Sequence, residues 1–80
     1  MKNINKVVLT NISKIKGKKI TDENLTFEGD LSFDSIEYIN LVSILSDELD
    51  INILDFDEEE LRLKYIKDLI SLLERKSVPQ

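Results

Sequence analysis

Apolar residues return at every third or fourth position in three separate stretches of this chain, and no stretch alternates convincingly enough to make a strand. In a chain of 80 residues that pattern confines the fold to helices packed on one another. Ile4, Val7, Val8, Ile12 and Ile15 predict an amphipathic helix over 3–16, with Gly17 placed to stop it. Tyr38, Leu41, Val42, Leu45 and Leu49 predict a second over 35–49, and Ile51 and Ile53 continue apolar beyond it. Leu69, Ile70, Leu72 and Leu73 predict a last one over 66–76, preceded by a short acidic helix over Asp57–Leu63. Between Gly17 and Phe33 the apolar residues Ile20, Leu25, Phe27 and Leu31 are too irregular for a helix; they predict a long loop pinned onto the core. The expectation is an all-α fold: a small four-helix bundle of three long helices and one short third helix, with a long loop between the first two. Residues 1–80 form a single domain, and 76–80, ending in Val78-Pro79-Gln80, fray.

Composition then removes most chemistry. The chain has no Cys and no His, so zinc sites built on those residues, disulfides, cysteine nucleophiles and histidine bases are all excluded. No Gly-rich phosphate loop is present, and the acidic stretch 50–60 lacks the glycine and ligand spacing of a calcium-binding loop. The expectation is a protein that is not an enzyme and has no catalytic residue and no metal site. The apolar run Val7-Val8-Leu9 behind Lys2 and Lys6 is too short for a signal peptide or a membrane span, which predicts a soluble, unprocessed, cytoplasmic protein.

Charge is segregated along the chain. Residues 1–20 hold six lysines and no acid, residues 21–60 hold fourteen acids and no base, and residues 61–80 hold five bases and two acids. The central block should repel nucleic acid and anionic membranes and attract partners with basic patches; the plainer reading of such a block is solubility.

Asp34-Ser35-Ile36-Glu37 opens the second predicted helix. Its simplest reading is a cap, Asp34 accepting from a backbone N–H of the first turn and Glu37 reaching back, with no function beyond stability. The wider stretch Leu31-Ser32-Phe33-Asp34-Ser35-Ile36-Glu37, however, resembles the attachment motif of acyl and peptidyl carrier proteins, a Leu-Gly-x-Asp-Ser-Leu or -Ile sequence at the start of the second helix. Glu48-Leu49-Asp50-Ile51-Asn52-Ile53 is similar to the end of that family's second helix, and Ile66-Lys67-Asp68-Leu69-Ile70 to the start of its last, so the resemblance spans nearly the whole chain. Two departures stand out: Ser32 replaces the usual Gly, with Gly29 a candidate to relieve the turn instead, and the segment between Ile53 and Ile66 is longer and more acidic than usual.

The resemblance implies that a phosphopantetheinyl transferase attaches 4′-phosphopantetheine covalently to Ser35, with Asp34 and Ile36 completing the attachment motif and Asp34 assisting the transferase's Mg²⁺ and phosphate geometry. It implies a monomeric carrier holding acyl or aminoacyl groups as thioesters. Its partners would be a loading enzyme and downstream synthases or transferases, with no nucleic acid and no membrane among them. At 100° per residue, Ile36, Asn40, Ser43, Ile44 and Asp47 share the face opposite the apolar stripe, and Glu37 and Glu48 flank it; these are the expected partner-binding residues. Asn40, Ser43 and Ser46 make that face less charged than in fatty-acid carriers, which favours a polyketide, nonribosomal peptide or D-alanylation pathway over bulk fatty-acid synthesis. The alternatives are a fatty-acid synthesis carrier, or a non-catalytic acidic docking domain in which Ser35 stays unmodified.

Overall fold

The computed structural model describes residues 3–77, the side chain of Ile53 excepted. Among them are three α-helices and no strand: α1 (Ile4–Lys16), α2 (Ser35–Glu48) and α3 (Ile66–Lys76). Asn3 starts α1 by accepting from the Lys6 N–H at 3.2 Å, and Gly17 ends it at φ 69°, where its N–H and that of Lys18 both reach the Ser13 carbonyl. A left-handed residue just past a helix is a position glycine fills without strain.

The end of α2 uses the same geometry without a glycine. Asp50 stands at φ 58°, and the N–H groups of Asp50 and Ile51 return to the carbonyls of Asp47 and Ser46 at 3.4 and 2.8 Å, a Schellman closure.

The helices meet around Val8, Ile12, Leu41, Val42, Leu45, Ile66, Leu69 and Leu73, all fully buried. Asn11 ties α1 to α2 inside this packing, donating to its own helix at Val7 and to the Glu48 carboxylate, each at 2.8 Å.

The long loop over 17–33 is ordered and buries Ile20, Phe27, Leu31 and Phe33, as its spaced apolar residues led one to expect. It also supplies what α3 lacks. No side chain caps α3; instead the N–H groups of Ile66 and Lys67 donate to the Leu25 and Glu23 carbonyls at 3.0 and 2.9 Å, beside an isolated antiparallel bridge between Thr26 and Tyr65. Those are two of the N–H groups that every helix start leaves without a partner inside the helix.

The segment expected to form a short acidic helix over Asp57–Leu63 holds only a 3₁₀ turn at Glu60–Arg62, with another at Ile53–Asp55 before it. Asp57 and Glu60 cap each other's N–H at 2.9 and 3.0 Å, but four consecutive acids repel along the turn, and Leu63 is already extended at ψ 146°. Phe56 is buried and Leu61 and Leu63 half-buried, so the segment is held by these few apolar anchors rather than by a continuous helical face. At the other end, α3 runs to Lys76, with Ser77 as its cap; of the stretch expected to fray, residues 78–80 lie outside the described residues.

Candidate functional site

Ser35 is the first residue of α2 and is exposed, and the cap residue before it, Asp34, is fixed. The Glu37 N–H donates to Asp34 Oδ1 at 2.7 Å while the Asp34 N–H donates to Glu37 Oε1 at 3.2 Å, the reciprocal cap read in the sequence. Of the N–H groups at the start of α2, this cap takes Glu37's and leaves those of Ser35 and Ile36 to solvent or an anion at the positive end of the helix dipole.

Behind Ser35 lies a half-open cleft of about 610 Å³ between the loop, the start of α2 and residues 61–64. Its floor is aromatic: Phe27 meets Phe33 and Tyr38 edge-on, with ring centroids 5.4 and 5.0 Å apart. Tyr38 is closed in further by its hydroxyl, which donates to the Glu60 carbonyl and accepts from the Leu63 N–H, both at 3.3 Å. Burial pushes that phenol up to about 12. The rim is polar and carries both signs, Glu28 and Asp34 with Arg62 and Lys64. Two exposed cations in a cleft that Ser35 itself lines, together with the free N–H groups, suit a phosphodiester on the serine oxygen.

Lys16, the last residue of α1, reaches into the site from the other side. Its ammonium donates to the Ser32 carbonyl at 3.4 Å, pairs with Glu37 Oε2 at 3.2 Å and lies 4.8 Å from the centroid of the Phe33 ring. Ser32 itself stands at φ 55°, in the left-handed region. The turn before α2 is therefore made by Ser32 and not relieved at Gly29. What Gly29 permits is close approach, since a Cβ there would lie 2.9 Å from Thr26 Oγ1.

The outward face of α2 is apolar and exposed beside Ser35: Ile36 is 71% exposed, Ile39 48% and Ile44 44%. Asn40, Ser43, Asp47 and Glu48 are exposed on the same helix, with Glu48 also accepting from Asn11, while Glu37 is half-buried in the cap and the Lys16 pair. Ser46 is a correction. It is 3% exposed and its hydroxyl has no hydrogen-bond partner, because it falls about 40° from Val42 around the helix and turns with the core stripe. Ile39 was missed although the same wheel puts it about 60° from Ile36. Leu54, 85% exposed in the turn after α2, had no periodic signal to reveal it.

Fold and site together give a small all-helical protein with an exposed serine at the first turn of a capped helix. Comparison with known proteins gives its family. No family model matches the chain, but over 70 residues it is 40% identical to an acyl carrier protein homolog of Mycoplasmopsis pulmonis, a stretch covering 88% of this chain and 90% of that one. Over 63 residues it is 38% identical to the acyl carrier protein of Buchnera aphidicola subsp. Schizaphis graminum, covering 76% and 80% of the two chains. The chain belongs to the acyl carrier protein family, and is a carrier and not an enzyme. No helix among the described residues is long and apolar enough to cross a membrane.

Proposed function

We propose that Ser35 accepts 4′-phosphopantetheine from coenzyme A, delivered by a phosphopantetheinyl transferase, and that the chain then carries acyl or aminoacyl groups as a single, monomeric, cytoplasmic domain spanning residues 1–80. One observation supports this above the others: an exposed hydroxyl at the first turn of a capped helix, lining a cleft with Arg62 and Lys64. The arm's terminal thiol supplies the sulfur chemistry that a chain without Cys lacks.

The chain's own residues have narrower tasks. Asp34 fixes the first turn through its Oδ1 and leaves its other oxygen for the transferase's Mg²⁺. The α2 dipole and the N–H groups of Ser35 and Ile36 stabilise the phosphodiester anion, with Arg62 and Lys64 at the rim. Ile36, Ile39 and Ile44 offer partner enzymes an apolar contact, and Asp47 and Glu48 steer basic surfaces toward it. In this reading the turn at Glu60–Arg62 stands where the short third helix of a four-helix carrier would be.

The cargo we favour is that of a specialised pathway (polyketide, nonribosomal peptide or D-alanyl transfer). Two features support it: uncharged Asn40 and Ser43 on the outward face, and a cleft with a polar rim above an aromatic floor closed by Tyr38.

Intact mass after incubation with coenzyme A and a phosphopantetheinyl transferase tests the attachment. The expected result is one added phosphopantetheine, lost in Ser35→Ala. A folded chain that gains no mass with its native transferase overturns the assignment and leaves a helical docking domain in its place, whereas an equal gain in Ser35→Ala moves the attachment to another residue. Loading of the modified chain by an amino-acid-activating enzyme, in preference to a malonyl transferase, is the expected mark of the nonribosomal peptide and D-alanyl members of that group.

A further inference from the structure

Every residue from Ser32 to Glu37 except Ser35 and Ile36 is pinned. Phe33 is buried and donates its N–H to the Phe27 carbonyl at 2.8 Å, while Asp34 and Glu37 hold each other. Ser32 is the weak point. A non-glycine residue at φ 55° brings its Cβ against the following carbonyl, so the conformation needs an outside hold to persist.

Lys16 is that hold. Its ammonium touches three of the pinned residues at once: the Ser32 carbonyl, the Phe33 ring and the Glu37 carboxylate. Its side chain is only 16% exposed, so the contacts are shielded in part from solvent. It stands at the carboxyl end of α1, where a cation is favoured by the helix dipole. It thereby sets the end of α1 against the start of α2.

We propose that Lys16 is a positioning residue for modification of Ser35: it locks the left-handed turn at Ser32 and so fixes the direction in which α2 presents its first hydroxyl. This rests on Ser35 being the attachment point. Lys16 does not touch the reacting atoms; it acts through Ser32 and Glu37.

The relation between Lys16 and Ser32 makes the test sharp. Glycine adopts the left-handed turn without strain, so Ser32→Gly should make the lysine dispensable. Steady-state transfer of the arm from coenzyme A would be measured for the full chain, Lys16→Met, Lys16→Arg, Ser32→Gly and the Lys16→Met/Ser32→Gly pair. Lys16→Met is expected to lower kcat about tenfold with KM within about twofold, because the α2 docking face is intact while the hydroxyl is misdirected. Lys16→Arg is expected to retain the native kcat, and Ser32→Gly to restore most of the loss in the Lys16→Met background.

An unchanged kcat in Lys16→Met, or an equal deficit with and without Ser32→Gly, overturns the proposal. Should Lys16→Met not fold, Lys16→Gln takes its place in the cycle. The ¹³Cα and ¹³Cβ shifts of Ser32, which report its φ, supply a readout independent of any transferase. They are expected to leave left-handed values when the ammonium is lost, and retention of those values also overturns the proposal. If the native chain accepts no arm, the attachment reading fails by itself while the Ser32 shifts still decide whether Lys16 holds the turn.

Discussion

Tyr38 gives the fold a specific weakness at high pH. Burial raises its phenol to about 12 from an ordinary 10.0; the hydrogen bond from the Leu63 N–H pulls it back in part, and the Asp68 charge adds to the rise. Between those values the unfolded chain releases a proton that the folded chain keeps. The contribution is therefore whole below about pH 10 and lost as pH climbs through about 12, on the order of 3 kcal/mol in all. Urea unfolding at about pH 9 and about pH 11 should show a steeper loss for the native chain than for Tyr38→Phe, which has no phenol to ionise. Ser46 offers the opposite sign. Its buried hydroxyl has no partner, so Ser46→Ala removes a desolvation penalty, adds a better helix former and is expected to raise unfolding free energy by about 1 kcal/mol in chemical denaturation. Tyr38 was legible as part of the core stripe, though not the backbone partners of its hydroxyl, and Ser46 was not legible at all. A polar residue near the edge of a helical stripe turns inward or outward according to what packs over it, and the wheel for α2 put Ser46 on the wrong side of that line. Asp34 and Glu37 were legible, because a capping box is written in four adjacent residues and needs no distant partner.

At the scale of elements, what the sequence revealed follows how local each determinant is. The three helices match the expected bounds to within about a residue, since stripes such as Leu69, Ile70, Leu72 and Leu73 need only a surface to face. The segment 57–63 did not, because its helical pattern competes with repulsion among its own acids, and that balance depends on how few apolar anchors the core accepts. The cap of α3 was invisible for a different reason: its acceptors are backbone carbonyls about forty residues upstream, and no side-chain code specifies them. The end of α2 supplies a test. Asp50 occupies the left-handed position of a Schellman closure, and its carboxylate sits at the negative end of the helix dipole. Asp50→Gly relieves both and should raise stability by about 1 kcal/mol, read as a shift of the urea midpoint at unchanged slope.

Over the whole molecule, charge is arranged so that the acidic middle is only locally relieved. Two ion pairs among the described residues, Lys16–Glu37 and Lys76–Glu60, each join a basic flank to the central block, which leaves most of its fourteen acids facing solvent and one another. Raising salt from about 10 to about 150 mM shortens the screening length from about 30 to about 8 Å and is expected to raise the melting temperature. A melting temperature that stays constant or falls would show that attraction between the flanks and the middle outweighs repulsion within it. The sign segregation was plain in the sequence; which few charges meet across it was not, because the meeting points are set by how the helices cross.

The backbone bonds from Ile66 and Lys67 to Leu25 and Glu23 turn two amides into a clock for the long loop. Amides at a helix start ordinarily trade hydrogen with water at once, because nothing inside the helix occupies them. Here they can do so only when residues 23–25 lift away, so the rate at which deuterium enters at Ile66 and Lys67 measures the opening of a segment remote in sequence. If a bound enzyme or a loaded acyl group loosens the loop, those two amides will exchange faster while the centre of α3 remains protected.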